Sequence, residues 1–218
     1  MTAGGMEALY PFLHPASDGL GTILADAEES TAEKLAEVAG LRESLAPRFA
    51  GALTRCAFAL AESFSAGGRL LAFGNGGSAT DAHAFTTLFA VPPPPAVPLS
   101  AFCLPQDTAS LTALANDVGF ESVFSRRIAS LGRRGDVAVG LSTSGGSVNL
   151  LRGLEEATRL GMVTVGFAGY DGGPMAEAGA VDHLFVVPST SVHRIQEVQA
   201  TLYHVLWELV LDALRDAP

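Results

Sequence analysis

The sequence predicts an α/β fold in which a parallel β-sheet lies between two layers of helices. From residue 69 onward, short apolar segments alternate with segments of helix-forming residues. Some of the short segments are apolar throughout, as in residues 137–141 and 163–167, and such runs are typical of strands buried on both faces of a parallel sheet. The alternation of strands and helices therefore favours a three-layer αβα sandwich.

Five strands are expected, each a short apolar run that a turn follows. We place them at 69–73, 97–103, 136–141, 162–168 and 183–187. We expect the helices between them at about 79–90, 107–115, 119–131, 147–160 and 173–178, and a long final helix from about 192 to 215. The run Pro92–Pro95 is expected to be a stiff loop, because the same α/β pattern resumes beyond it.

Helices are also expected before the sheet. Residues 1–18 are rich in Gly and Pro and are expected to form a flexible arm, which leaves residues 19–218 as a single domain. Apolar residues recur at helical spacing across residues 20–45. Because Pro47 is suited to the first turn of a helix, we expect a second helix from there to about Ser65, where Gly67 and Gly68 end it.

The composition predicts a globular protein with an acidic surface. Of the 218 residues 48% are apolar, and the formal net charge is −10, which argues against direct binding to nucleic acid or to an anionic membrane. No uncharged run reaches the ~18 residues of a membrane span, and the N-terminus lacks the pattern of a signal peptide. We therefore expect a cytoplasmic protein, with Cys56 and Cys103 as buried free thiols because both lie in apolar segments.

Two strand-to-helix turns carry the residues expected to bind a phosphate. The first turn is Asn75-Gly76-Gly77-Ser78, and glycine-rich turns at a helix N-terminus offer backbone N–H groups to an anion. The second turn, Ser142-Thr143-Ser144-Gly145-Gly146-Ser147, adds four hydroxyl groups that can bond phosphate oxygens. Either turn alone could be an ordinary helix start, but both follow parallel strands, at the sheet edge where α/β proteins bind ligands. The Walker lysine and the GxGxxG spacing are absent, so nucleotide binding is not indicated.

Seven segments along the chain match a known family in the family's order. They are Gly74–Ala82, Asp107 with Leu111–Asp117, Val123-Phe124, Gly135–Val137, Ser142–Gly145, Asp171–Gly173 and Arg194–Glu197. Over about residues 20–215 the chain thereby resembles the sugar isomerase (SIS) domain and, within it, the phosphoheptose isomerases. The resemblance implies a homotetramer built on a five-stranded parallel sheet. It also implies that Ser78, Ser142, Thr143, Ser144 and Ser147 hold the phosphate of a sugar phosphate, and that Asp107 and Gln196 face the sugar in a site shared between subunits.

The reaction that the resemblance implies is aldose–ketose isomerisation, which needs a base beside the substrate carbonyl and an acid for the enediol oxygens. In similar enzymes a glutamate and a histidine do this, and a zinc ion can sit among His, Glu, Gln and His. The family's first histidine and its glutamate correspond to Ala84 and Leu88, which are apolar, whereas Gln196 and His204 match the other two positions. Because zinc takes three or four protein ligands, we predict no zinc and no other cofactor.

His204 is then the candidate acid or base, because histidine exchanges protons readily near neutral pH; packing inside an oligomer is the alternative. His83 is rotated by about 100° from the family's histidine position and is expected at a surface or an interface. His193 is a candidate ligand contact. Glu197 is expected to form an ion pair at a subunit interface, with replacement of the missing base as the alternative. Asp107 is expected to contact the ligand or to cap a loop rather than to act as a base.

Three functions are consistent with these residues. The first is an isomerase acting on sedoheptulose 7-phosphate or a related sugar phosphate. The second is a sugar-phosphate sensor without isomerase activity, which fits the intact phosphate loops and the missing base. The third is an adaptor for a protein partner, as in the relative of this group that binds a replication initiator. In each case we expect self-association, with apolar residues around Trp207 on the last helix forming the oligomer core.

Overall fold

The structure is a computed structural model that describes residues 17–177, 179 and 181–215, with side chains from residue 21 onward. The chain divides into two units, Met1–Gly40 and Leu41–Pro218. Most of the predicted N-terminal arm, residues 1–16, lies outside the described residues, and the first helix begins at Ser17. No helix of the described residues is both long and apolar enough to cross a membrane.

The first helix, α1, is continuous from Ser17 to Ser65. The predicted break at Pro47 is therefore wrong, since Pro47 lies inside the helix. Proline lacks a backbone N–H and so removes one helical hydrogen bond at this position. Leu45 and Phe49, one on each side of the proline and four residues apart, are both buried in the core. Burial of one helical face on both sides of Pro47 accounts for the continuation of the helix through it.

The remaining elements follow the predicted order. They are β1 (Leu70–Gly74), α2 (Gly77–Ala90), β2 (Ala101–Cys103), α3 (Thr108–Asp117), α4 (Val123–Leu131), β3 (Val137–Leu141), α5 (Val148–Leu160), β4 (Val163–Gly169), α6 (Gly173–Glu177), β5 (His183–Val187) and α7 (Val192–Arg215), with 3₁₀ turns at Leu104–Gln106 and Phe120–Ser122. Strand β2 is shorter than the expected 97–103. Pro98 has no N–H to donate to a neighbouring strand, so regular pairing starts only after it.

The five strands form one parallel sheet in the order β2-β1-β3-β4-β5, which confirms the predicted fold class. One face of the sheet packs against α1, α2 and α7, where Phe85 and Phe167 are buried. The other face packs against α4, α5 and α6, around Phe73 and Phe124. Gly74 pairs in register with Leu141, so β1 and β3 end side by side. This register brings the two predicted phosphate loops to the same edge of the sheet.

Candidate functional site

The first loop begins at Gly74, where the chain has no room for a side chain. A Cβ on Gly74 would lie 2.7 Å from the carbonyl oxygen of Ser78 and 2.8 Å from that of Leu141. The next turn is tight: Gly76 has a φ of 55°, and the backbone N–H of Ser78 donates to the carbonyl of Asn75 at 3.0 Å. Gly76, at the start of α2, supplies no side-chain cap. The glycines let an anion approach the backbone at the start of α2, where the helix dipole favours negative charge.

The second loop gathers its hydroxyl groups at the start of α5. The Ser142 hydroxyl accepts a hydrogen bond from the Gly145 N–H at 3.1 Å. Its oxygen lies 3.4 Å from the Ser144 hydroxyl oxygen and 3.5 Å from that of Ser147. The Gly146 N–H donates to the Ser144 hydroxyl at 3.2 Å. Three of the four predicted hydroxyls therefore lie within reach of one small anion, and Ser147 is also the first residue before α5.

An amide pair that the sequence did not predict joins the two loops. The Asn75 side-chain NH₂ donates to the side-chain oxygen Oδ1 of Asn149 at 2.9 Å, and the Asn149 NH₂ donates back to Oδ1 of Asn75 at 3.0 Å. Asn149 is only 3% exposed and lies in the first turn of α5. In the sequence, the only sign of this amide pair is a polar residue, Asn149, on the buried face of a helix. The pair fixes the separation of the two loops.

The second loop is also supported from behind by the turn after β4. Gly145 has a φ of 64°, and a Cβ there would lie 2.0 Å from the carbonyl oxygen of Gly172. The Met175 N–H donates to the carbonyl of Gly145 at 2.9 Å. A Cβ on Gly173 would lie 2.5 Å from the carbonyl oxygen of Ser144. The loop is thus held in place by backbone contacts that only glycine permits.

A cavity of about 430 Å³ opens beside the first loop, between the starts of α2 and α7. Its lining residues are Gly77, Thr80, Asp81, His193, Gln196, Glu197 and Ala200. The Gln196 side-chain NH₂ donates to the Asp81 carboxylate at 3.0 Å. Burial raises the pKa of Asp81, and the hydrogen bond from Gln196 partly opposes that rise. Burial, with a contribution from the Asp81 charge, raises the pKa of Tyr203 to about 12. Because Gln196 and Gly77 line the same cavity, the structure places Gln196 beside the first loop.

His204 lies one helical turn beyond Ala200 and is exposed. Its Nδ1 is 2.7 Å from the carbonyl oxygen of Ala200, and its ring stacks on Tyr203 with the centroids 4.9 Å apart. Because a carbonyl oxygen only accepts, Nδ1 carries a hydrogen, and in the neutral form of the ring Nε2 holds the lone pair. This geometry leaves Nε2 as the atom of His204 that can take or give a proton.

Ala84 and Leu88 are partly buried and pack against the apolar core. Neither side chain has a metal-binding atom, so of the four positions expected from the resemblance, one copy of the chain offers zinc only the Gln196 oxygen and His204 Nε2. Zinc normally takes three or four protein ligands, and these residues do not fit such a site. Among the described residues, no three His, Cys, Asp or Glu side chains are grouped to hold a metal ion.

Asp107 lies in a different environment from Gln196. It is the residue before α3 and accepts hydrogen bonds from the Ser110 N–H at 3.1 Å and from the Ser110 hydroxyl at 2.7 Å. Its carboxylate also lies 2.7 Å from the Arg127 guanidinium. The bonds from Ser110, and then the Arg127 charge, lower the pKa of Asp107. These contacts show loop capping, one of the two expected roles, whereas contact with the sugar stays a prediction.

The other polar candidates also have partners in the structure. Asp107 and His83 line a second cavity of about 500 Å³, and the two ring nitrogens of His83 lie 2.8 and 3.1 Å from the Gln106 NH₂. Glu197 forms an ion pair with the buried Arg194 of its own chain. His193 is exposed at the rim of the 430 Å³ cavity. Asp81 also lines this cavity and was not a predicted site residue, although its spacing places it on the same helical face as Ala84 and Leu88.

Comparison with known proteins identifies the family. Residues 35–169 match the family model described as the SIS domain. The phosphoheptose isomerase of Desulfovibrio desulfuricans is 45% identical over 176 residues, which are 78% of this chain and 81% of that protein. This chain belongs to the SIS-domain family.

Further relatives of this SIS-domain chain are of the same kind. The phosphoheptose isomerase of Paramagnetospirillum magneticum is 47% identical over 153 residues, 70% of this chain and 79% of that protein. A solved structure of phosphoheptose isomerase from Neisseria gonorrhoeae is similar with a TM-score of 0.79 and 33% identity, covering 84% of this chain and 98% of that one. The resemblance to the phosphoheptose isomerases inferred from the motifs is confirmed.

Proposed function

We propose that this SIS-domain protein binds sedoheptulose 7-phosphate or a related sugar phosphate. The observation that carries the proposal is the convergence of the Ser142, Ser144 and Ser147 hydroxyls at the start of α5. The relatives named phosphoheptose isomerase support the same class of ligand. The phosphate is held by this hydroxyl cluster together with Thr143 and the first loop, Asn75–Ser78.

The charges of the site support one orientation of the ligand. Two carboxylates, Asp81 and Glu197, line the cavity beside Gln196. A phosphate would be repelled there, whereas sugar hydroxyls can donate hydrogen bonds to carboxylate and amide oxygens. The phosphate therefore lies on the loops, and the hydroxyl-bearing carbons extend toward Gln196.

The reaction we propose is a slow aldose–ketose isomerisation that does not use zinc. A base must remove a proton from the carbon next to the carbonyl, and an acid must serve the enediol oxygens. His204 Nε2 is the candidate group, because Nδ1 is occupied by the Ala200 carbonyl. Since Ala84 and Leu88 stand where similar enzymes have a histidine and a glutamate, the chain lacks the usual base. We expect turnover well below the rates typical of enzymes.

A sensor that binds the sugar phosphate without converting it is the second candidate. One observation favours it: Ala84 and Leu88 pack against the apolar core, so neither of these two positions supplies a proton-transferring group. The phosphate loops and the amide pair Asn75–Asn149 remain intact in this interpretation. The two candidates share the ligand and differ only in turnover.

We also propose that copies of the chain associate, as a homotetramer. Large apolar side chains are exposed along α1, including Leu24 at 62%, Leu35 at 68% and Phe58 at 62%. Exposed apolar side chains along a helix are a common sign of a protein interface. Light scattering coupled to size-exclusion chromatography measures the assembly directly, and a monomer would contradict this proposal.

The turnover question is decided by assaying purified, metal-analysed protein with sedoheptulose 7-phosphate. We expect binding with turnover far below about one per second, near the low end for enzymes. Turnover at or above that rate would contradict the slow reaction and the sensor alike. Residual turnover that disappears in His204→Ala, with binding retained, would assign the acid or base. Ser144→Ala serves as the matched control, because it should weaken binding instead.

A further inference from the structure

The Gln196 amide lies flat against the backbone at the start of α2. A Cβ on Gly77 would lie 2.5 Å from the Gln196 nitrogen and 3.2 Å from its carbonyl oxygen. The nitrogen also donates to Asp81, 115 residues earlier in the chain, at 3.0 Å. Gly77 thus leaves the space that the amide occupies, and Asp81 is its hydrogen-bonding partner on α2.

The Asp81 carboxylate determines which end of the Gln196 side-chain amide faces it. An ionised carboxylate only accepts hydrogen bonds, whereas an amide has one donating and one accepting end. The NH₂ of Gln196 must therefore point at Asp81, and its carbonyl oxygen is left for another donor. An asparagine at position 81 would be nearly identical in shape but could accept or donate, so the amide of Gln196 would be free to turn over.

The residues around Gln196 indicate what that donor is. Asp81 and Glu197 line the same cavity and are acceptors, and Thr80 adds a hydroxyl. Glu197 already has a cationic partner in Arg194. These two carboxylates, beside the Thr80 hydroxyl and the exposed His193, suit the hydroxyl hydrogens of a polyol, and their charge disfavours a phosphate or a carboxylate at the same place.

We propose that Asp81 is a positioning residue that fixes the orientation of the Gln196 amide. In this orientation the side-chain carbonyl oxygen of Gln196 faces the ligand. The site thereby selects ligands with a hydroxyl group that donates a hydrogen bond to that oxygen. This inference rests on the proposed sugar-phosphate ligand. The contact between Asp81 and Gln196 then determines specificity for the hydroxyl-bearing end of the ligand, whereas the phosphate loops bind its other end.

Isothermal calorimetry tests the inference with two probes: sedoheptulose 7-phosphate and inorganic phosphate. Asp81→Asn should weaken the binding of sedoheptulose 7-phosphate by about tenfold, the usual effect of losing one hydrogen bond to a desolvated partner. It should leave the affinity for inorganic phosphate unchanged. A residue that only supports the fold of the loop would weaken both probes equally.

The double variant Asp81→Asn with Gln196→Glu exchanges donor and acceptor. The introduced asparagine can then donate to one oxygen of the introduced glutamate, and the other carboxylate oxygen faces the ligand as the amide oxygen did before. Affinity for sedoheptulose 7-phosphate should return to within about threefold of wild type. Thermal unfolding of each variant confirms that it is folded.

Two results with the single variant Asp81→Asn would overturn the inference alone: wild-type affinity for the sugar phosphate, or an equal loss for both probes. Failure of the double variant to recover would also contradict it. Wild-type protein that binds neither probe would instead contradict the proposed function, on which the inference rests. The titrations of the wild type and of the two variants therefore separate the two claims.

Discussion

Replacement of Gly145 by alanine tests whether backbone contacts behind the second loop hold the phosphate site in place. Gly145 has a φ of 64°, which favours glycine. A Cβ added at this position would lie 2.0 Å from the carbonyl oxygen of Gly172. The atom in the way belongs to the backbone, so no side-chain rotation relieves the contact. The loop Ser142–Ser147 and the turn Asp171–Gly173 must move apart by roughly 1 Å, because carbon and oxygen are rarely closer than about 3 Å.

The cost follows from the contacts that change. An alanine at positive φ costs about 1 kcal/mol relative to glycine. Separation of the loops also weakens the hydrogen bond from the Met175 N–H to the Gly145 carbonyl, worth about 1 kcal/mol. The variant Gly145→Ala should therefore lose about 2–3 kcal/mol of unfolding free energy, and the displaced hydroxyl cluster should bind inorganic phosphate at least ~10-fold more weakly.

The neighbouring residue supplies a matched control. An alanine Cβ at Gly146 would have Pro174 Cδ as its nearest neighbour, at 3.6 Å, which is an ordinary van der Waals contact. Gly146→Ala should stay within about 0.5 kcal/mol of wild type, as most benign substitutions do. Urea denaturation and phosphate calorimetry on both variants provide the measurement. Equal stability and equal phosphate affinity in the two variants would refute the account of this loop.

Three further predictions concern the loop connection, the thiols and acid stability. Asn149→Ala should cost about 2–3 kcal/mol in urea denaturation, because the partly buried Asn75 loses both side-chain hydrogen bonds to Asn149; a change below ~0.5 kcal/mol would contradict the role of the amide pair. Burial raises the pKa of the Cys56 thiol and raises that of Cys103 to about 11, so iodoacetamide at pH 8 should modify both slowly until urea unfolds the chain; fast labelling of native protein would argue against this burial. The pKa of Asp107 is lowered in the folded state, so its contribution to stability is present above the ordinary Asp value of about 3.9 and is lost as the pH falls through the folded value. Asp107→Asn should therefore reduce the loss of stability measured between pH 5 and pH 2–3, and an unchanged acid profile would contradict the assignment.

The order and type of the elements after residue 69 could be predicted because the strands are apolar throughout and the turns contain glycine. Strand β5, for example, lies at the predicted residues His183–Val187. The predicted break in the first helix differed because a local rule competes there with tertiary packing. Pro47 has the sequence features of a helix start, yet Leu45 and Phe49 are buried on one helical face and the helix continues through it.

In the candidate site, too, the features set by local sequence could be predicted, and the contacts between distant residues could not. The glycine and serine residues of both loops could be identified from local sequence, because an anion site at a helix start needs them at fixed spacing. The contact of Asp81 with Gln196 and that of Asn75 with Asn149 join residues 115 and 74 positions apart, and no local pattern encodes such pairs. The capping role of Asp107 was one of two expected roles, and only the positions of Ser110 and Arg127 show it.

The central claim is that the two loops and the cavity beside Gln196 bind a sugar phosphate. The most direct measurement is a calorimetric titration of wild-type protein with sedoheptulose 7-phosphate, repeated in the presence of inorganic phosphate. We predict saturable binding with a Kd below about 1 mM, within the range in which enzymes meet their substrates, and progressive weakening as phosphate competes for the loops. The absence of saturable binding, or binding that inorganic phosphate leaves unchanged, would contradict the claim.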